Sequence, residues 1–205
     1  MATLARPRSS LWRLPVIDGQ AEASLARRIP LSTGTGSSPR FGVGHLFYVA
    51  SSIGGDGIWR MEGDAASEVW SAPSARITGG LAVARDGRIA FSSRRNGQTS
   101  LHVANADGTA AHVVGSSLKT EGAPAWTPDA RAFTVAVVTA GIPRLFNLPL
   151  DGGAPSPLAR EYSLDPAWSP DGKIVAFSGP DVGTTFEVKA LKADGSPYPL
   201  ASLTH

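Results

Sequence analysis

The chain has 205 residues and a formal charge of +2, with 42% hydrophobic and 18% charged residues. That supplies one or two ordinary cores, and the absence of any run of about eighteen apolar residues excludes a membrane-spanning helix. Zero cysteines exclude disulfides, thiolate metal sites and a cysteine nucleophile, without naming a compartment.

The opening MATLARPRSSLWRLP lacks the apolar stretch and small-residue cleavage site of a secretory signal. The reading is therefore cytoplasmic if Met1 is the native start, and periplasmic if a signal precedes it. Charge is uneven. Residues 1–40 carry Arg6, Arg8, Arg13, Arg27, Arg28 and Arg40 against Asp18 and Glu22, a local +4, and the remainder carries −2. This marks a basic edge. No aromatic-interleaved basic stripe accompanies it, so nucleic acid is not an expected partner.

In chain order, the first element is LWRLPVIDG, an alternating strand closing on Asp18-Gly19, and residues 11–31 supply two strands. GTGSS at 34–38 reads as a connector, because it lacks the third glycine and the βαβ context of a dinucleotide site. SPRFGVGHLFYVAS then gives two strands around a shortened turn, with Val43 where other copies carry aspartate. GIWRMEGD, SLHVANADG, RLFNLPLDG and EVKALKADG repeat the first strand type, and their glycines with Gly19 stand 44, 45, 44 and 43 residues apart. Between them lie GGLAVARDGRIAFSS, GAPAWTPDARAFTVAV and DPAWSPDGKIVAFSG, each a strand, a tight turn and a strand. The turn positions Gly44, Gly87, Ala130 and Gly172 recur at 43, 43 and 42 residues.

Two landmarks sharing a period of about 43 residues fit four-stranded propeller blades. In the last repeat DPAWS is strand A, KIVAFSG strand B, TTFEVKALK strand C and PYPLASL strand D. Ser-Pro-Asp-Gly is turn chemistry: proline presets φ, aspartate bonds its own backbone and glycine accepts a positive φ. Ala130 replaces that glycine, which predicts either a different turn or a strained residue costing about 1 kcal/mol.

The run P-A-W-S-P-D-G-K-x-x-A-F-S, followed by a strand ending in N-A-D-G, resembles the TolB-type, WD40-like (PD40) β-propeller repeat of bacterial proteins. The resemblance is strongest at 121–179, good at 79–109 and weakest at 38–64. It implies an all-β fold, a propeller of about four and a half four-stranded blades in an open or incomplete ring. Residues 1–37 form an N-terminal extension and a half blade (strands C and D), and residues 38–205 form four blades near 38–80, 81–122, 123–164 and 165–205. No A and B strands remain for the half blade. An edge with unpaired backbone groups invites another chain, so the expectation is a fragment of a larger protein or one partner in an assembly, prone to self-association.

Trp126 and Trp168 share one position in strand A and read as inter-blade packing, as do Phe91, Phe133 and Phe177 in strand B. If Trp168 is fully buried, truncating it to alanine costs about 3 to 5 kcal/mol. His45, His102, His112 and His205 show no metal-ligand spacing, and neither a G-x-S-x-G elbow nor a phosphate loop occurs, so the reading contains no catalytic residue, cofactor or metal. In propellers the B–C and D–A loops share the face at the mouth of the channel, where a rigid scaffold concentrates binding residues. Those loops place Asp56, Arg94, Arg95, Asn96, Glu121, Glu161, Tyr162, Asp165 and Asp181 there as candidates. The expected function is a non-catalytic module for protein or ligand interaction in a sensor, scaffold or envelope complex. The alternative is the propeller portion of a prolyl-oligopeptidase-like serine peptidase. A protein partner is expected at the open blade edge or the channel mouth.

Overall fold

Alternating apolar residues interrupted by tight turns produce a chain of antiparallel strands with one short 3-10 helix. The computed structural model describes residues 9–181 and 186–200. At the N-terminus β1 (Trp12–Arg13) pairs with β4 (Arg27–Arg28), and β2 (Val16–Ile17) with β3 (Gln20–Ala21), nested in one hairpin. Asp18 and Gly19 form its tip, with φ of 51° and 79°, the left-handed pair that two-residue hairpin turns require.

Four sheets follow, each ordered as the chain runs. The first holds β5 (Ser37–Gly42), β6 (His45–Ser52), β7 (Gly55–Glu62) and β8 (Ala65–Ser71). The second holds β9 (Arg76–Val83), β10 (Ile89–Arg95), β11 (Gln98–Ala104) and β12 (His112–Val114). The third holds β13 (Thr120–Trp126), β14 (Ala132–Thr139), β15 (Ile142–Pro149) and β16 (Ser156–Pro157). The fourth holds β17 (Leu164–Trp168), β18 (Ile174–Asp181) and β19 (Phe186–Lys192), and beyond them one bridge joins Leu191 to Pro197. Of the strand expected over PYPLASL, only that bridge forms among the described residues, and residues 201–205 lie outside them.

The core is divided by seam. Leu11, Tyr48, Ala50 and Met61 fill the space between the hairpin and the first sheet. Phe47, Ile58, Leu81 and Phe91 fill the second seam, Leu101, Trp126, Phe133 and Val135 the third, and Leu145, Val175, Phe177 and Leu191 the fourth. Sheets packed face to face through apolar seams are the blades of a partial β-propeller.

Strand A carries a feature that the repeat pattern did not announce. In every blade its ladder slips, opposite Ser38, Gly79-Gly80, Gly122 and Asp165. The residue at the slip has a positive φ each time: 51° at Ser38, 89° at Gly80, 72° at Gly122 and 50° at Asp165. These are β-bulges, inside strands that begin at Ser37, Arg76, Thr120 and Leu164. The blade boundaries expected near 81 and 123 fall several residues into the first strands of the second and third blades.

The bulges of neighbouring blades touch. A Cβ on Gly79 would stand 2.4 Å from the carbonyl carbon of Gly122, so only glycine lets these two backbones meet. The Asp165 carboxylate then accepts the backbone N–H of Ala123 at 2.8 Å, tying the fourth blade to the third.

The A–B turns repeat as expected. Gly87 N–H donates to Ala84, Ala130 N–H to Thr127 and Gly172 N–H to Ser169, all near 2.9 Å (3.0, 2.8 and 2.9 Å). Ala130 therefore keeps the common turn and sits strained in it, at φ 56°. The carboxylates of Asp86, Asp129 and Asp171 each accept the backbone N–H two residues on, which closes the turns. Arg88 locks two blades: it donates to the Ala130 carbonyl at 2.7 Å and lies over the Trp126 ring at 4.8 Å. Arg85 reaches from the second blade to the Pro170 carbonyl of the fourth.

Trp126 is buried at 7% exposure and donates its indole N–H to the Ala82 carbonyl of the preceding blade at 3.3 Å. Trp168 is only half-buried, so the premise of full burial does not hold. Its indole N–H donates to Thr134 Oγ1 at 2.8 Å, and Thr134 in turn donates to Asn147 at 2.6 Å. Trp168→Ala is accordingly expected to cost about 2 to 3 kcal/mol, below the range for a buried ring. Trp168→Phe, which keeps the ring and loses one hydrogen bond, should cost about 1 kcal/mol. Urea unfolding measures both, and an unchanged midpoint for the alanine variant would remove Trp168 from the seam.

Candidate functional site

One face of the blades collects the B–C and D–A loops, and backbone hydrogen bonds tie each D–A loop to an adjacent blade. Ser74 N–H donates to Gly54 at 2.7 Å, Val138 N–H to Lys119 at 2.8 Å and Ser163 N–H to Pro143 at 3.0 Å. The loops are therefore held by a rigid frame, the condition for a preorganised surface.

The candidate residues divide into those consumed by this frame and those left free. Asp56 is buried; it accepts from Arg76 at 3.0 Å and from the backbone N–H of Ile77 at 2.8 Å, fastening the first blade's corner to strand A of the second. Glu161 accepts from Lys189 at 2.8 Å, an ion pair that raises the lysine's pKa. Asp165 is the bulge residue bonded to Ala123. Tyr162 is half-buried in the loop before the fourth blade. Asp181 is exposed at the end of β18, and the loop it was assigned to continues into residues 182–185, outside the described residues. Arg94 and Arg95 end β10, both exposed, and Asn96 (φ 51°) with Gly97 (φ 79°) makes the turn to β11.

Arg94, Asn96 and Glu121 come together. They line a polar groove of about 810 Å³ between the second and third blades, with Gln98, Lys119 and Thr120. Among the described residues, Arg94, Lys119 and Glu121 make no ion pair. Thr120 is 5% exposed and its hydroxyl has no hydrogen-bond partner. A buried hydroxyl without a partner costs on the order of 1 kcal/mol or more, so it is a place where an incoming polar group gains. Of this segment the sequence reading singled out only Glu121. No pattern in the sequence marks Thr120, whose burial comes from blade packing.

One constellation has the composition of a nucleophile and base. Ser93 Oγ lies 2.9 Å from His102 Nε2. Ser93 is buried, the imidazole stacks on Phe91 with centroids 5.0 Å apart, and Trp70 flanks it at 5.5 Å. Among the described residues no carboxylate bonds the other ring nitrogen, so the orienting member of a triad is absent. The pair is seam packing.

No protein-family model matches the chain, and no curated protein matches it. Solved structures do. TolB from Acinetobacter baumannii superposes with a TM-score of 0.70 at 18% identity, over 85% of this chain and 47% of that one. A TolB-type protein from Agrobacterium tumefaciens gives 0.75 at 14% identity, over 93% and 73%. The chain folds as a TolB-like β-propeller. It spans about half the length of the Acinetobacter protein, and at these identities the likeness concerns the fold alone. A prolyl endopeptidase structure matches more loosely, with a TM-score of 0.57 at 19% identity, over 77% of this chain and 28% of that one.

In this TolB-like propeller, burial lowers the His102 pKa from its ordinary value of 6.5. The unfolded chain therefore binds more protons than the folded one between the depressed folded value and 6.5. Stability is full above pH 6.5 and falls as the pH drops through that window. His102→Gln should flatten this part of a thermal-midpoint profile taken from pH 7 to pH 5. An equally steep decline in the variant would assign the acid sensitivity elsewhere.

Proposed function

We propose that this TolB-like propeller is a non-catalytic module that binds a protein or ligand partner through the face carrying its B–C and D–A loops, as part of a sensor, scaffold or envelope complex. The observation that carries this reading is the division of charge on that face. Asp56, Glu161 and Asp165 are committed to the frame, whereas Arg94, Lys119 and Glu121 stand unpaired around the buried hydroxyl of Thr120. A rigid surface with unspent polar groups is the arrangement of a recognition site. Panning a random peptide library against the chain, with hits mapped by amide chemical shifts, tests it. Hits are expected to perturb the loop face; clustering on the A–B turns or no binding would overturn the reading.

The N-terminal hairpin is a second contact surface. Trp12, Val16 and Ile17 are 55%, 67% and 52% exposed, beside Arg13, Arg27 and Arg28. An exposed apolar patch rimmed by charge favours contact with another chain. Light scattering on the purified chain should read a dimer or larger species, and Val16→Lys should return it to monomer. A monomer at all concentrations would exclude self-association.

The alternative, a propeller belonging to a serine peptidase, is supported by the likeness to the prolyl endopeptidase structure. A G-x-S-x-G elbow in adjacent coding sequence would favour it over the interaction module.

A further inference from the structure

The second blade departs from the first and third in one respect. There the D–A loop bonds back onto the start of the third strand, Asp56 N–H donating to Ala75 at 2.9 Å and Ser163 N–H to Pro143 at 3.0 Å; here, among the described residues, no loop does so, and the three-residue β12 pairs with β11 only at Leu101, His102 and Val103. Beyond Val114 the chain turns away, Leu118 N–H closing a turn on Gly115 at 2.9 Å. Among the described strands, Gln98, Thr99 and Ser100 thus have a neighbour on the β10 side only. This open edge borders the groove of Arg94, Lys119 and Thr120, and Gln98 and Thr99 line it.

We infer that the groove takes an extended acidic peptide, which adds as a short strand to the open edge of β11 and places a carboxylate side chain against Arg94 and Lys119. The inference deepens the interaction-module reading and rests on it. Open strand edges bind extended chains through main-chain hydrogen bonds, and the side-chain pockets alongside set specificity. Register supplies the geometry. Arg94 pairs with Thr99 across β10 and β11, so both side chains lie on one face of the sheet, and both line the groove. A guest residue opposite Thr99 continues that row and presents its side chain to the same face. It lies two strand spacings from Arg94, about 9.6 Å, a gap that a glutamate and an arginine close by reaching toward each other. Lys119 enters from the facing blade, and the unpartnered Thr120 hydroxyl donates to the same carboxylate or to the guest backbone. Glu121, which also lines the groove, disfavours an unbroken run of carboxylates, so the site selects a spaced pattern of acids over an acidic run.

Two blocked pentapeptides titrated into the ¹⁵N-labelled chain test this, one of sequence Thr-Glu-Thr-Glu-Val and one with lysine replacing glutamate. The acidic peptide is expected to shift the amides of residues 98–100 and 119–122 and to bind about tenfold more tightly than its lysine counterpart, with affinity falling as salt rises. Replacing both cations, R94Q with K119Q, should erase that preference with the thermal midpoint unchanged, both side chains being free of ion pairs. Equal binding of the two peptides at these amides overturns the acidic specificity while supporting the interaction reading. Silence from both peptides, with library hits elsewhere on the loop face, overturns the groove alone; silence in both experiments overturns groove and reading together.

Discussion

The meeting of strand-A bulges from neighbouring blades is the constraint on which the blades depend. Gly79 and Gly122 approach so closely that no side chain fits between them, and Asp165 converts the next approach into a hydrogen bond from Ala123. A bulge re-aims the strand and sharpens its twist, and here it brings neighbouring first strands into backbone contact. Ser38 and Asp165 accept a left-handed φ without being glycine, a conformation that Asp tolerates better than most residues. Each is followed by proline, which lacks the N–H that a bulge leaves without a ladder partner. Four blades thus solve one geometric problem with Ser-Pro, Gly-Leu, Gly-Ala and Asp-Pro.

From that centre outward, the seams are closed by polar clamps as well as by apolar packing. Trp126 and Trp168 both send their indole N–H to the preceding blade, one to a carbonyl and the other to a threonine hydroxyl. Arg88 spends its guanidinium on Asp86, on the Ala130 carbonyl and on the Trp126 ring, so a charge at the turn face is neutralised by structure. The same accounting on the opposite face consumes Asp56 with Arg76 and Glu161 with Lys189. Charges that remain unpaired after these clamps are the ones with affinity to spare for a partner.

Much of the fold was legible because turn chemistry and strand alternation are local. Asp-Gly at 86–87 and 171–172 announced the A–B turns, and the repeat of Phe91, Phe133 and Phe177 announced the seams; each is set by residues within one repeat. The bulges were not legible, because glycine serves loops and bulges alike and only the register of the neighbouring strand separates them. The half-burial of Trp168 was equally hidden, since its exposure depends on what covers the fourth blade. Among the candidate polar residues, sequence placed Arg94 and Asn96 in one loop and Glu121 in another. Their convergence, and the roles of Lys119 and Thr120, arise from the packing of the second blade on the third.

A repeat fold makes the exceptions to its pattern more informative than the pattern itself. Residues that recur from blade to blade, such as the turn aspartates of the second, third and fourth, answer to the scaffold, and their lowered pKa values follow from bonds within their own turns. A feature present in one blade alone has no such explanation. Among the described residues no D–A loop bonds back onto Gln98, Thr99 and Ser100 of β11, as loops do at Asp56 in the first blade and Pro143 in the third, and the uncovered edge falls beside the unpaired cations of the loop face. An open edge is a hazard that sheets usually blunt with charge, and Arg94 and Arg95 stand beside this one. Positive charge repels a lysine-rich strand and a second copy of the same edge, and it attracts a carboxylate-bearing one. The feature that protects this edge from promiscuous pairing is therefore also the feature that selects its partner.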